Sequence, residues 1–597
     1  MPGICGFILT NRAEQSTTML KKMVNCMMHE SFYSSGIIEE EAFYINIGWV
    51  CHTGSFSDCN PLWNTRRDIA LIFFGEHFDD CKRSDARSLL ARYEEKGAKF
   101  IEAINGIFSG VLIDRRKSRV ILFNDRFGLG RIFFHENASG FYFSSEAKSL
   151  LRVLPTLRQL DTKSFAEFFS FGCALENRTL FEKISLMPGG SAWTFERGKT
   201  LRKTTYFQQS LWENQAPTSV TKYYEELKST FTKILPRYFR EDEIVALSLT
   251  GGLDSRMILA CTDALPKRMP CYTFGGPYRD CADVRIARRL ANICNHLHET
   301  ISVTGSFFEE FSTLARKAVY CTDGGMDVTG AVEVFVNRAA RRIAPVRMTG
   351  NYGSEILRGN VAFKPMPVSL AIFDRSFAEE IRNAERTYAK ERNGNETSFI
   401  AFKQVPWYHH SRWAIEQSQL IPRSPYLDNQ MVALAYHAPK DLSLNKALAH
   451  RFIKSANPAF AGIPTDRGVF RNYSGIGGRF SALRREFFPK LEYFFDYGMP
   501  KWLARRERYF APLGVERLFL GRQKFYHFRI WYSDQLASYV KEMLLDSRTL
   551  SRPYFDSKQV EKLVKSHLDS RGNYTIEIHK LLTSELIQRE LIENNST

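Results

Sequence analysis

No apolar run in this 597-residue chain approaches the roughly 18 residues needed to cross a bilayer, so nothing reads as a transmembrane helix. The early apolar stretch Ile4–Leu9 is short and has no basic segment before it, which argues against a secretory signal; a cytoplasmic protein is expected. The eleven cysteines contain no CxxC pair. That argues against a zinc or dithiol motif and fits free thiols in a reducing compartment. No GxxxxGK[ST] occurs, which excludes a Walker-type nucleotide hydrolase. Internal repeats and low-complexity tracts are missing as well. Negative charge is in deficit: 65 acidic residues stand against 82 Lys and Arg, a formal net charge of +17.

Such an excess can attract nucleic acid, acidic peptides, nucleotides or a membrane surface. It concentrates in 484–531, where Arg484-Arg485-Glu486-Phe487-Phe488, Arg505-Arg506-Glu507-Arg508-Tyr509-Phe510 and Lys524-Phe525-Tyr526-His527-Phe528-Arg529 interleave basic and aromatic residues. Two readings stand: a nucleic-acid platform, or amphipathic helices with a solvated basic face.

The length suggests two or three domains. Up to about residue 210 the chain reads as short strands with turns, among them Ile69–Phe74, Gly110–Asp114 and Val120–Phe123. From about 220 the period changes. Tyr223–Tyr238 has helical spacing, and Ile244–Leu249 reads as a buried parallel strand. A helix over Met257–Ala264, a strand over Cys271–Phe274, a helix over Val284–Cys294 and a strand near Glu299–Val303 follow, the alternation of a doubly wound α/β sheet. After about 370 the chain reads as mostly helical. The polar segment Asn214–Ser219 is the expected linker, giving domains 1–210 and 220–597.

The sharpest motif is Ser248-Leu249-Thr250-Gly251-Gly252-Leu253-Asp254-Ser255. It lies between a strand and a helix, where backbone N–H groups and the helix N-terminus converge on an anion. Paired glycines admit phosphate oxygens closely. Thr250 and Ser255 supply hydroxyls, and Asp254 supplies a carboxylate suited to magnesium. The plainer alternative is a Gly-Gly turn capped by Asp254. The pattern resembles the pyrophosphate loop of enzymes that split ATP between its α- and β-phosphates.

With a hydrolase-like N-terminal half before that loop, the chain resembles the asparagine synthetase family over most of its length. Further landmarks are Asn105-Gly106-Ile107-Phe108, Asn124-Asp125-Arg126-Phe127-Gly128, Phe143–Lys148, Asp283–Ala291, Thr349-Gly350-Asn351-Tyr352-Gly353-Ser354-Glu355 and Arg423-Ser424-Pro425-Tyr426-Leu427-Asp428. The resemblance implies an N-terminal αββα sandwich of the N-terminal-nucleophile hydrolase kind and a C-terminal doubly wound α/β ATP-pyrophosphatase domain with a helical extension. It also implies ATP and Mg2+, with Asp254 and Glu355 as metal ligands. Leu247, Ser248, Thr250, Gly251, Gly252, Leu253, Asp254, Ser255, Thr273, Phe274 and Gly350 are the implied nucleotide residues. For Glu355, a helix-capping role stands beside the metal role. His296 and His298 read as packing residues.

The departures are informative. The chain begins Met1-Pro2-Gly3-Ile4-Cys5, so the family's nucleophilic cysteine position is Pro2 and Cys5 falls where a small packing residue belongs. Proline has no thiol. No arginine lies near Cys51–Ser55, and Phe74 replaces the asparagine of an Asn-Gly-Glu. Loss of glutamine hydrolysis is therefore expected. At the synthetase site Asn351 replaces a catalytic glutamate, so another group must take the amine proton. Tyr352 resembles, one residue out of register, a tyrosine of the β-lactam synthetases. Arg467 is the candidate for the family's late charge-stabilising lysine, with a structural pairing to Asp466 as the alternative.

A synthetase without a glutaminase resembles the lasso-peptide cyclases most. That implies adenylation of an Asp or Glu side chain of a precursor peptide and attack by the peptide's own amine. It also implies a leader-peptide protease and a leader-binding protein as partners. An asparagine synthetase-like or β-lactam synthetase-like small-molecule amide synthetase, using free ammonia or a substrate amine, is the alternative. An RNA-linked ATP pyrophosphatase and a silent binding protein are the remaining readings. No membrane or nucleic-acid partner is expected.

Overall fold

The computed structural model describes residues 1–11, 15–79, 86–196, 199–240, 242–439, 446–466, 490–499 and 519–594. Its first part is two stacked six-stranded sheets. Across the first, the strands run Ser185–Leu186, Phe133–Asn137, Gly140–Ser144, Gly3–Leu9, Ile45–His52, Tyr33–Glu40. Across the second they run Lys199–Thr205, Ser191–Glu196, Arg119–Asn124, Phe108–Asp114, Ile69–Gly75, Leu62–Trp63. Strand alternation sorts the residues of Gly3–Leu9 between two layers. Ile4 and Ile8 face the inter-sheet core with Ile47, Ile72 and Val111. Cys5, Phe7 and Leu9 face the outer layer, against Leu20, Met23 and Val24 of the helix Ser16–Met27. The helix Arg87–Lys96 covers the second sheet through Leu89, Leu90 and Tyr93. This is the expected αββα sandwich.

The second part centres on a five-stranded sheet in the order His298–Ser302, Cys271–Gly275, Val245–Ser248, Val346–Thr349, Ile421–Arg423, all neighbours parallel. The chain winds one way through the first three strands and the other way through the last two. Its topological switch point therefore lies between Val245–Ser248 and Val346–Thr349, where doubly wound sheets bind ligands at the carboxyl ends of strands. The helices Gly330–Ile343 and His410–Gln419 pack beside the sheet, and Gly305–Cys321 packs on both of them. Ahead of the last of these, Ile400–His409 is π-helical and contains Pro406, whose missing N–H suits the widened turns. Among the described residues no helix is long and apolar enough to cross a membrane.

Candidate active site at the switch point

Two glycine-bearing loops meet where the topology reverses. The first is Leu249–Asp254, and the second is Gly350–Gly353. A Cβ on Gly350 would lie 2.5 Å from the Ser255 nitrogen, and one on Gly353 would lie 2.6 Å from Asp254 Cγ. Only glycine permits this approach. The first loop is braced internally: Ser255 Oγ accepts from the Thr250 N–H at 3.1 Å, Thr250 Oγ1 from the Gly252 N–H at 3.2 Å, and Asp283 Oδ1 from the Gly251 N–H at 2.9 Å. The helix Asp254–Ala260 opens toward the same space with its first-turn amides free of intrahelical partners. Arg256, buried, donates to the carbonyls of Ile463, Pro464 and Gly251, fastening the 463–466 segment to the loop. Arg467, the next residue, lies outside the described residues.

The loops wall a cavity of about 380 Å³. Of the sequence candidates, Ser248, Thr250, Gly252, Asp254, Ser255, Phe274, Gly350, Asn351, Tyr352 and Glu355 all line it. Leu247 and Leu253 are instead packed in the apolar core, because their side chains leave the strand and loop on the inward face. The Gly251 carbonyl accepts from the Asp466 N–H at 3.2 Å, and Thr273 donates its hydroxyl to the Leu249 carbonyl at 2.6 Å; both support the loop from behind. His298 bonds Thr273, in keeping with a packing role.

The charged lining includes residues that sequence reasoning missed: Glu333, Arg347, Arg412, Glu416 and Lys524. They come from four separate places in the chain, and the fold alone unites them. The one local signal is the i, i+4 spacing of Arg412 and Glu416, which puts both on one helix face. Arg347 pairs with Glu416 at 3.2 Å and Arg412 with Glu333 at 3.2 Å. Burial and the neighbouring Glu333 push the Glu416 carboxyl above the usual carboxylate range, against the pull of Arg347 and Arg412. Asn351 Nδ2 donates to Glu416 Oε1 at 3.2 Å, and Glu416 Oε2 has no hydrogen-bond partner. Lys524 sits with Nζ 3.3 Å from the centroid of the Phe274 ring, and burial lowers its pKa.

Asp254 is held by Arg358, with Nη1–Oδ1 2.7 Å and Nη2–Oδ2 2.8 Å. Burial raises the Glu355 carboxyl, and the charge of Asp254 nearby adds to the effect. His409 Nε2 is buried without a hydrogen-bond partner. An orphaned polar atom on the wall of a polar cavity fits a polar occupant. An adjacent pair of carboxylates fits a cation that bridges to phosphate.

A second cavity, of about 50 Å³, lies between the two halves. Pro2, His52, Phe74, Glu76 and Ile107 face it from the N-terminal side and Trp413, Arg423 and Leu427 from the other. It has room for a few waters. Cys5 is fully buried on the opposite side of its strand, and burial pushes its thiol far above the usual range.

Comparisons with known proteins agree with this architecture. The glutamine amidotransferase domain family matches residues 1–207, and the asparagine synthase family matches residues 226–458. Asparagine synthetase [glutamine-hydrolyzing] 1 of Bacillus subtilis is 22% identical over 400 residues, 62% of this chain and 61% of that protein. Asparagine synthetase [glutamine-hydrolyzing] 2 of the same organism is 30% identical over 188 residues, 29% of this chain and 25% of its own. The chain thus spans less than two thirds of the length of these relatives. A solved structure of the allosteric regulatory enzyme of purine biosynthesis overlays 50% of this chain and 80% of its own at 8% identity and a TM-score of 0.26, too loose a fit to argue from. With both family domains matched in the same order along one chain, this protein belongs to the asparagine synthetase-like family.

Proposed function

We propose that this protein is an ATP-dependent amide synthetase that joins a carboxylate and an amine of the same substrate, in the manner of a lasso-peptide macrolactam cyclase. The observation that carries the reading is Glu416. It supplies, from a different element, a carboxylate on the cavity wall that position 351 lacks, with one oxygen held by Asn351 and the other without a hydrogen-bond partner.

The chemistry runs in two steps. A substrate carboxylate oxygen attacks the α-phosphorus of ATP, and pyrophosphate leaves. The amine nitrogen then attacks the acyl carbon, the bond from that carbon to the AMP oxygen breaks, and the amine proton passes to the Glu416 carboxylate. The loop from Thr250 to Ser255 and the cations Arg347 and Lys524 hold the phosphates. Asp254 and Glu355 are the residues that would hold magnesium, which would neutralise phosphate charge. Tyr352 packs against Trp413 with ring centroids 6.0 Å apart and shapes the wall beside the base.

Nitrogen comes from the substrate in this reading. Pro2 offers no thiol, and Cys5 packs in the outer layer of the sandwich. A tethered amine gains effective concentration that a free one lacks. The precursor peptide, a leader-peptide protease and a leader-binding protein are the proposed partners. A second reading, a small-molecule amide synthetase using ammonia or a substrate amine, is favoured by the names of the relatives.

ATP–pyrophosphate exchange across aspartate with ammonium, small carboxylic acids, and peptides with a free N-terminus and an internal Asp or Glu separates the two. Exchange with peptides that is lost in Asp254→Asn is the expected result. Exchange with aspartate alone removes the peptide reading.

A further inference from the structure

We propose that the N-terminal domain, though it lacks a nucleophile, positions the general base of the synthetase site, with Glu76 and Tyr33 as positioning residues. The inference rests on the assignment of Glu416 as that base.

Glu76 is buried at the domain interface. It accepts two hydrogen bonds from the fully buried Arg423, Nε to Oε2 at 2.8 Å and Nη2 to Oε1 at 2.5 Å. Burial works against the charge of Glu76, but the Arg423 and Arg240 guanidiniums hold its pKa below the usual value. Arg423 ends the edge strand, level with Met348 of the strand that leads into the Asn351 loop. The next residue, Ser424, donates its hydroxyl to the Asn351 carbonyl at 2.7 Å. Asn351 in turn donates to Glu416. An unbroken chain of contacts therefore runs from the first domain to the base.

A second set of contacts grips the helix that bears the base. Tyr33 donates its hydroxyl to the Ser418 carbonyl at 2.6 Å, and His52 Nε2 lies 2.8 Å from the Gln417 carbonyl. These are the two residues that follow Glu416. The first domain thus holds both partners of the Asn351–Glu416 bond, one through Arg423 and Ser424 and the other through the helix end. Catalytic geometry is sensitive to such support, since displacement by about 1 Å costs on the order of a hundredfold in rate.

The test uses the full chain with Glu76→Gln and Tyr33→Phe, the latter removing a single hydroxyl. Adenylation is read by ATP–pyrophosphate exchange, and the second step by amide product formed per AMP released. The inference expects exchange within about twofold of wild type, with amide formation down about 10–100-fold and AMP released without product. Amide formation and exchange falling in parallel, or neither falling in either variant, overturns it. Hydrogen exchange of the backbone amides in 410–419 provides a readout independent of turnover. Protection there is expected to drop in Tyr33→Phe, whose hydroxyl grips the helix end, while the strands 245–248 and 271–275 keep theirs, and unchanged protection in that variant overturns the proposal. Absence of pyrophosphate exchange in the wild type with every carboxylate tested is the separate failure of the amide-synthetase reading, and the hydrogen-exchange arm still decides the coupling.

Discussion

Asn351 and Glu416, 65 positions apart in the chain, are joined by one hydrogen bond of 3.2 Å across the floor of the cavity. The loop keeps an amide where an acid was expected, and the acid stands behind it on a helix. This arrangement gives the carboxylate a fixed orientation and leaves its second oxygen without a hydrogen-bond partner.

Glu416→Gln is expected to leave adenylation within a few-fold and to slow amide formation about 10²–10⁴-fold, the usual worth of a positioned base. Separate assays of pyrophosphate exchange and amide product check this. An equal loss in both assays makes Glu416 a binding residue instead.

The pH dependence carries a sign. The pKa of Glu416 is raised, mainly by burial, and a base works only when ionised. Amide formation is therefore expected to fall as the pH drops through a value above the ordinary carboxylate range. The same limb should vanish in Glu416→Gln, leaving a low, flat residual rate. A wild-type profile with its acid limb at or below the value of a free glutamate contradicts the assignment.

Gly350→Ala and Gly353→Ala test the contact between the two loops. Each new methyl would meet backbone or the Asp254 side chain at 2.5–2.6 Å. Forcing the loops apart is expected to cost about 1–3 kcal/mol of stability, the range for overpacking, and to abolish nucleotide binding. Thermal unfolding and nucleotide titration check both. Wild-type affinity in either variant would mean that the close approach is not needed.

The sandwich makes a negative prediction. Wild-type protein is expected to release no glutamate from glutamine, and Cys5→Ala to leave pyrophosphate exchange unchanged, at a stability cost of about 1–3 kcal/mol for the small cavity created in the core. Glutamate release that disappears in Cys5→Ala would restore a glutaminase to this domain.

Much of the frame was legible in the sequence because each element is written locally. The expected strands at 244–249, 271–274 and 299–303 appear at Val245–Ser248, Cys271–Gly275 and His298–Ser302, and the expected helix at 284–294 is Ala282–Ile293. Their apolar runs and turns suffice. The glycine loop between the strand Val245–Ser248 and the helix Asp254–Ala260 was legible for the same reason, as contiguous residues with one geometry. Leu247 of the preceding strand and Leu253 of the loop pack in the core rather than on the cavity wall, since a motif gives spacing but not the face on which each side chain leaves the backbone. Glu333, Arg347, Glu416 and Lys524 were not legible, because the sheet and helices bring them together from nearly two hundred residues of sequence. Lys524 was read only as one of a run of basic residues among aromatics.

Asp254 gives a further test. Its carboxylate and the Arg358 guanidinium are both largely shielded from solvent. Breaking such a pair from one side is expected to cost several kcal/mol at most, about 3–5 kcal/mol for full burial. Asp254→Ala should therefore lower the thermal midpoint, and the double substitution with Arg358→Met should restore part of it without restoring pyrophosphate exchange. Recovery of exchange in the double variant would remove Asp254 from the phosphate site.

The central claim is that the attacking nitrogen belongs to the substrate. The direct measurement is the mass of a peptide with a free N-terminus and an internal Asp or Glu after incubation with the protein, ATP, magnesium and ammonium labelled with heavy nitrogen. The account predicts loss of one water with no label in the product. A product that carries the heavy nitrogen contradicts it and assigns the chain to amide synthesis from free ammonia.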